Sequence, residues 1–273
     1  MKLPVFSTLS ITLNEGIAEV CLNRPDKSNA LNDAMWQEIR QAFDWVDATP
    51  EARVAILSGA GKNFCAGVDL SMLGSIQERI GHADGARSRE ALCRIIRDLQ
   101  DCLSSIERCR TPVLAAIQGA CVGGGLGLVA CCDLRYAASD AVFAIKEIDL
   151  AMVADIGTLQ RLPHLIGEGM TRELAYTGRN VSADEAEKLG LINFKFGDFS
   201  GLTVAVRKIA QTIAAKSPRA IRGIKATMNH SRDHSVDDGL MHVADVNAAT
   251  LLSADLAEAI AAQKEKRAPR FED

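Results

Sequence analysis

A chain of 273 residues and 29.3 kDa, 48% apolar and 24% charged, is long enough to bury a full core and has an ordinary globular composition. Its net charge of −4 gives no overall electrostatic footprint for phosphates, which argues against a nucleic-acid partner. The eight cysteines lack metal-ligand spacing and lie in apolar surroundings; they read as small buried hydrophobes in a reducing cytosol, so a cytoplasmic protein is expected. The N-terminus, MKLPVFSTLSITLNEG, lacks the apolar core of a signal peptide, and no segment reaches the length of a bilayer span, so no membrane partner is expected.

In chain order, residues 7–13 and 17–22 read as two strands around the turn Asn14-Glu15-Gly16. NRPDKSNALN is a loop. Asn32 then caps a helix from about Asp33 to Ala48, with Met35, Ile39, Phe43 and Val46 on its apolar face. Val54 to Leu57 is a short buried strand that runs into the glycine-containing loop GAGKNFCAGVDL. Residues 75–85 are polar and weakly patterned and read as a mobile surface segment; a long helix follows from about Arg87 to Cys109. Val113 to Ile117 is a strand, a strand pair lies near 133–145, and helices fall at roughly 157–166, 168–178 and 182–188. From about Ser200 the chain is nearly continuous helix, broken at Ser217-Pro218 and near His234. A boundary at 197–202 therefore divides a mixed α/β core, 1–199, from a helical region, 200–273. Leu251, Leu252, Leu256 and Ile260 in that region point to packing against another surface.

The stretch with most chemistry in it is TPVLAAIQGACVGGGLGLVACCDLRY, where a strand turns through Gly123, Gly124 and Gly125 into a helix. Such a turn leaves N–H groups unpaired and aimed outward, able to hold a phosphate or a transient oxyanion. There is no Gly-Lys-Ser/Thr ending and no GxGxxG in register, so neither common phosphate loop is present. A second strand-to-glycine junction, FCAGVDL, offers a second donor, and two converging donors are what an oxyanion hole needs. Glu147 and Asp155 follow among the apolar neighbours Phe143, Ile145, Ile148, Leu150, Met152 and Val153, where desolvation is expected to raise their pKa values. Asp149, between them, reads as a structural acid or a partner for Arg135 or Arg161. The histidines His82, His164, His230, His234 and His242 are dispersed, and no serine sits in a GxSxG elbow, so covalent catalysis is disfavoured and enolate chemistry is favoured. The basic run Arg207, Lys208, Lys216, Arg219, Arg222 and Lys225 reads as a solvated helical face, the alternative being an RNA-binding protein without catalysis.

Taken together, NRPDKSNAL, FCAGVDL, PVLAAIQGACVGGG, CDLRYAASDAVFAIKEIDL and AAQKEKRAPRF make the chain resemble the crotonase (enoyl-CoA hydratase/isomerase) superfamily over nearly its whole length. The resemblance implies an α/β fold, a crotonase-like ββα spiral core with a C-terminal helical trimerisation region, and acyl-CoA thioester substrates. It also implies a homotrimer, or a hexamer built as a dimer of trimers, with no metal and no cofactor apart from the coenzyme A of the substrate. Carried over by position, the oxyanion donors are the N–H groups of Val68 and Gly124. Lys27, Ala30, Ala66, Gly67, Asp69 and Leu70 fall where the family lines the CoA moiety. Lys264, Lys266 and Phe271 fall where it reaches the adenine end, on the same or a neighbouring subunit.

Hydratases of this family resemble one another in a pair of glutamates; here the second is Glu147 and the first position holds Gly127. The stretch KEIDLAMVADIGTLQRLPHLIG is more similar to the Δ3,5-Δ2,4-dienoyl-CoA isomerase branch, which acts in fatty acid β-oxidation and has acids at the positions of Glu147 and Asp155. That branch also carries an aspartate where this chain has Gly127, and the missing side chain is expected to open volume for a longer or branched acyl group. By analogy Asp155 takes the C2 proton and Glu147 delivers one at C6. The alternatives are a hydratase using Glu147 with Asp155, or a CoA-thioester-binding homologue without catalysis.

Overall fold

The computed structural model describes residues 2–81 and 84–272. The chain opens with the antiparallel strands β1 (Leu9–Asn14) and β2 (Ile17–Leu22), then a 3-10 turn at Pro25–Lys27. In α1 (Asp33–Ala48) the Asn32 side chain accepts the Met35 N–H, and the expected apolar stripe, with Trp36 added, is buried. β3 (Val54–Gly59) pairs parallel to β2. The expected mobile segment at 75–85 is instead largely helical: α2 spans Leu70–Ile80, with Asp69 as its cap. His82 and Ala83 in that segment lie outside the described residues. α3 (Gly85–Arg108) leads to β4 (Val113–Ile117), β5 (Ala120–Val122), the short α4 (Gly124–Ala130), β6 (Leu134–Ala138) and β7 (Val142–Ala144).

A 3-10 turn at Glu147–Leu150 precedes α5 (Thr158–Arg161) and α6 (Pro163–Ile166), which Pro163 separates within the region expected as one helix. Next come α7 (Glu168–Thr177), the two-residue β8 (Val181–Ser182), α8 (Ala183–Leu189) and β9 (Phe194–Phe196). Strands this short leave no period to read, and β8 and β9 went unexpected. The rest is helical: α9 (Phe199–Ala214), α10 (Pro218–Arg232), α11 (Val236–Thr250) and α12 (Ala254–Glu265).

Six strands form one sheet in the order β1-β2-β3-β4-β6-β9, parallel from β2 onward, and β5, β7 and β8 form a second. Both faces of the larger sheet are covered, and strand alternation sorts its residues between them. Ala55, Leu57, Val113, Ala115, Ile117 and Ala137 join α1, α3 and α4 in the main core. Val54, Ile56, Leu114, Ala116, Tyr136 and Ala138 face Leu202, Val206, Ala210 and Ala214 of α9.

α9, which follows the boundary expected at 197–202, therefore packs against the sheet as part of the core. The basic run is a solvated face only in part: Lys208, Lys216 and Arg219 are exposed. Arg207 pairs with Glu19, and Lys225 is buried with its Nζ 2.8 Å from Asp133 and bonded to the carbonyls of Ile106 and Thr111. Three histidines dispersed in sequence meet on α10 and α11, the His230 ring lying 3.8 Å from that of His234 and 4.1 Å from that of His242. Among the described residues no helix is long and apolar enough to cross a membrane.

Candidate active site

The loop after β2 is organised by Asn29, which is fully buried with φ +54°. Its Oδ1 accepts the Arg24 N–H, and its Nδ2 donates to the carbonyls of Ala60 and Asn63, tying this loop to the one after β3. The second loop then runs between two neighbours. Cys65 exchanges hydrogen bonds with Ala120 and Val122 of β5, while Ala66 donates to Ser28, Leu31 donates to Gly67 and Asp69 donates to Leu31. Successive groups of an extended segment point to opposite sides. Val68 thus turns its N–H away from Leu31, to the β5 side, and among the described residues that N–H has no backbone acceptor.

On the β5 side stands the glycine turn. Gly123 adopts φ +52° and ψ −122°, a conformation that a side chain strongly disfavours, and opens α4 with the Gly124 N–H free of a backbone acceptor among the described residues. The three glycines are also a matter of space. A Cβ at Gly125 would lie 2.6 Å from the Cys65 carbonyl oxygen, and one at Gly67 would lie 3.5 Å from the Gly124 nitrogen. The two junctions are therefore packed backbone to backbone, Gly67 against Gly123 and Gly124.

Glu147 lies beside the gap between them. A Cβ at Gly123 would sit 3.6 Å from its Oε1, and its Oε2 is buried with no hydrogen-bond partner among the described residues. Burial pushes the Glu147 pKa up, and the nearby charge of Asp155 adds to the shift. Desolvation also raises Asp155, although this residue reaches the surface of its turn. The surroundings are less buried than their composition implies. Phe143, Ile145, Ala154 and Ile156 are inside, but Ile148, Leu150 and Val153 are exposed and form an apolar rim. Cys65, beside the gap, has its thiol pushed by burial up to about 12, which keeps it neutral.

Both acids have raised pKa values, so each contributes stability that is present below the ordinary carboxylate range and lost as pH rises through its folded value. Glu147→Gln is therefore expected to raise the melting temperature at neutral pH and to leave it unchanged in acid. Each kcal/mol relieved is worth about 2–4 °C in a chain of roughly this size. Calorimetry at the two pH values checks this, and a lower melting temperature at neutral pH contradicts it.

Some expected positions have other work. The Asp69 carboxylate caps α2 through Ser71 and pairs with Arg24 at 3.1 Å, so it holds the two loops together. Lys27, Ala66 and Leu70 are exposed along the same loops, with Ala30 and Gly67 behind them. Lys264 and Phe271 are not brought to the gap within one chain. The Phe271 carbonyl is held by Arg53 at the start of β3, the end opposite the one that feeds the Cys65–Asp69 loop, and Lys264 lies exposed on α12. Asp149 pairs with Lys146 at 3.1 Å rather than with Arg135 or Arg161. Arg135 donates to the carbonyls of Leu191 and Cys132, and Arg161 pairs with Glu107.

Gly127 does not open the volume expected of it. A Cβ there would already lie 3.0 Å from Thr158 Oγ1, 3.1 Å from Ile156 Cδ1 and 3.3 Å from Leu103 Cδ1, so neighbouring side chains fill the space. Sequence reading missed Arg24, and also Gln100, which donates to the Asp155 carbonyl at 2.6 Å. The polar residues of α3 carry no period that singles Gln100 out.

The family Enoyl-CoA hydratase/isomerase matches residues 12–273. The peroxisomal Δ3,5-Δ2,4-dienoyl-CoA isomerase of Arabidopsis thaliana is 46% identical, with 99% of each chain covered. The mitochondrial enzyme of that name from Mus musculus is 41% identical over 92% of this chain and 77% of its own. A crystal structure of enoyl-CoA hydratase from Bacillus anthracis superposes with a TM-score of 0.87 at 32% identity, covering 97% of this chain and 99% of that one.

The expected cytoplasmic location is overturned by the relatives, which are named for peroxisomes and mitochondria. Free thiols do not choose among compartments, and seven of the eight here are at least partly buried. With its fold and nearly its full length in agreement, the chain belongs to the enoyl-CoA hydratase/isomerase family, the crotonase superfamily.

Proposed function

We propose that this protein is an acyl-CoA double-bond isomerase that converts 3,5-dienoyl-CoA to 2,4-dienoyl-CoA, a step of fatty acid β-oxidation. The Val68 and Gly124 amides hold the thioester carbonyl oxygen. With that oxygen held, Asp155 removes a proton from C2, and the electron pair spreads along the chain as a dienolate. Glu147 then gives its proton to C6, leaving double bonds at C2 and C4. One proton leaves and one arrives, so the product is an isomer and the reaction calls for no group beyond the substrate and these residues. Coenzyme A is carried by the substrate.

The observation that supports this reading most directly is Glu147 itself: a desolvated carboxyl facing a second acid across from two free amides, in a chain similar over its full length to isomerases of that name. Burial raises the Glu147 pKa, the direction that suits a general acid. Incubation with a 3,5-dienoyl-CoA is expected to produce the absorbance of a conjugated 2,4-diene, and Asp155→Asn is expected to abolish it. Hydration of crotonyl-CoA at a comparable rate would turn the reading to a hydratase.

The same reading includes a homotrimer, or a hexamer of two trimers, assembled through the helices after Ala214. Leu252 is 94% exposed, with Leu251, Leu256 and Ile260 beside it, which suits burial against a second copy. In such an assembly Lys264 and Phe271 reach the adenine end of CoA bound to a neighbouring subunit. Leu252→Glu is expected to shift the mass measured by light scattering from trimer toward monomer; an unchanged mass places the contact elsewhere.

A further inference from the structure

Among the described residues no side chain donates a hydrogen bond to the Asp155 carboxylate, so the backbone of its turn alone sets where it points. That turn, Asp155-Ile156-Gly157, is pinned at one end by α3 and at the other by Arg161 of α5. Gln100 donates through Nε2 to the Asp155 carbonyl at 2.6 Å. Arg161 folds back over Gly157 and donates to its carbonyl through Nη1 at 3.3 Å. The fit is close: Gly157 has φ +102°, and a Cβ there would fall 2.0 Å from Arg161 Nη1. The guanidinium is itself held by Glu107 Oε2 at 2.9 Å and by Ser104 Oγ at 3.1 Å. Gln100, Ser104 and Glu107 are four and three residues apart, one stripe of the α3 surface. They border a cavity of about 480 Å³ shared with Ile156, Gly157 and Arg232.

We propose that Gln100 and Arg161 are positioning residues for Asp155, with Glu107 as the anchor that fixes Arg161 and also ties the turn to α10 through Arg232. The inference rests on Asp155 being the C2 base. Glu107 is suited to anchoring: burial pulls its pKa up, but the hydrogen bonds and charges of Arg161 and Arg232 outweigh this and hold it low. The charged groups around the turn are Glu147 on the gap side and Arg161, Glu107, Arg232 and Asp233 on the cavity side. Two short side-chain contacts thus decide how far the carboxylate stands from the substrate carbon, a distance to which rate is steeply sensitive.

The test is steady-state kinetics of the full-length protein on a 3,5-dienoyl-CoA, comparing Arg161→Met, Gln100→Leu and Asp155→Asn with wild type. Arg161→Met and Gln100→Leu are expected to lower kcat about tenfold to a hundredfold with KM changed less than about twofold. The acidic limb of kcat/KM is expected to move to lower pH, because a loosened turn lets the Asp155 carboxylate swing further into water and lose the desolvation that raises it. Arg161→Lys, which keeps a cation on Glu107, is expected to recover part of the loss. Variants that melt earlier but keep the wild-type kcat and acidic limb would overturn the positioning role while Asp155→Asn stays inactive. If Asp155→Asn turns over like wild type, the assignment of the base falls, and the proposal with it.

Discussion

Glu147→Gln is expected to lower kcat on a 3,5-dienoyl-CoA by about 10²–10⁴, the usual contribution of a positioned general acid, with little change in KM. The substitution keeps the shape of the side chain and removes the proton that C6 must receive. The surroundings say why no neighbour substitutes for it: Oε2 is buried without a hydrogen-bond partner among the described residues, and in the proposed reaction Asp155 serves as the base at the other end of the dienolate. A stopped assay for the 2,4-diene measures the loss directly. The same variant is expected to be more stable at neutral pH, so lower activity cannot be put down to unfolding. Turnover within about threefold of wild type would remove Glu147 from the reaction, since even a weak acid catalyst is worth more than that.

Gly124→Pro is expected to cost about 10²–10³ in kcat through loss of one oxyanion donor. Proline suits this position better than most in a helix, because Gly124 is the first residue of α4, where the N–H has no intrahelical partner. It also brings a Cβ, which would lie 2.9 Å from Leu31 Cδ1, the movable end of a side chain. Gly124→Ala is the control: it adds the same carbon and keeps the amide hydrogen. The expected result is a large kcat gap between the two variants, with circular dichroism showing both folded. Equal kcat values would mean that the Gly124 amide does not touch the developing charge.

Much of this arrangement was legible in the residues. The Asn32 cap and the spacing of Met35, Ile39, Phe43 and Val46 placed α1, because a capped amphipathic helix carries its own punctuation. The two glycine loops were visible for a similar reason, since glycine at that density has few structural uses. What stayed hidden depends on partners distant in sequence. Nothing local says that the Asp69 carboxylate is taken by Arg24, that Lys225 is buried on Asp133, or that Gln100 reaches the Asp155 carbonyl. α2 was masked by Gly74, Ser75 and other polar residues that dilute its period, and α9 read as tail because its small apolar stripe does not announce the sheet beneath it. Gly127 shows the same limit: a missing side chain looks like room until Thr158, Ile156 and Leu103 are seen to occupy it.

The gap between Val68 and Gly124 has a consequence for how this protein comes to life. Its walls are the turns after β3 and β5 and the stretch beyond β7, brought side by side only when the parallel strands between them are stacked in order. Pairings between such remote segments form late, after helices and hairpins. During refolding from denaturant, helical signal should return first and turnover last, so a half-assembled chain is a silent one.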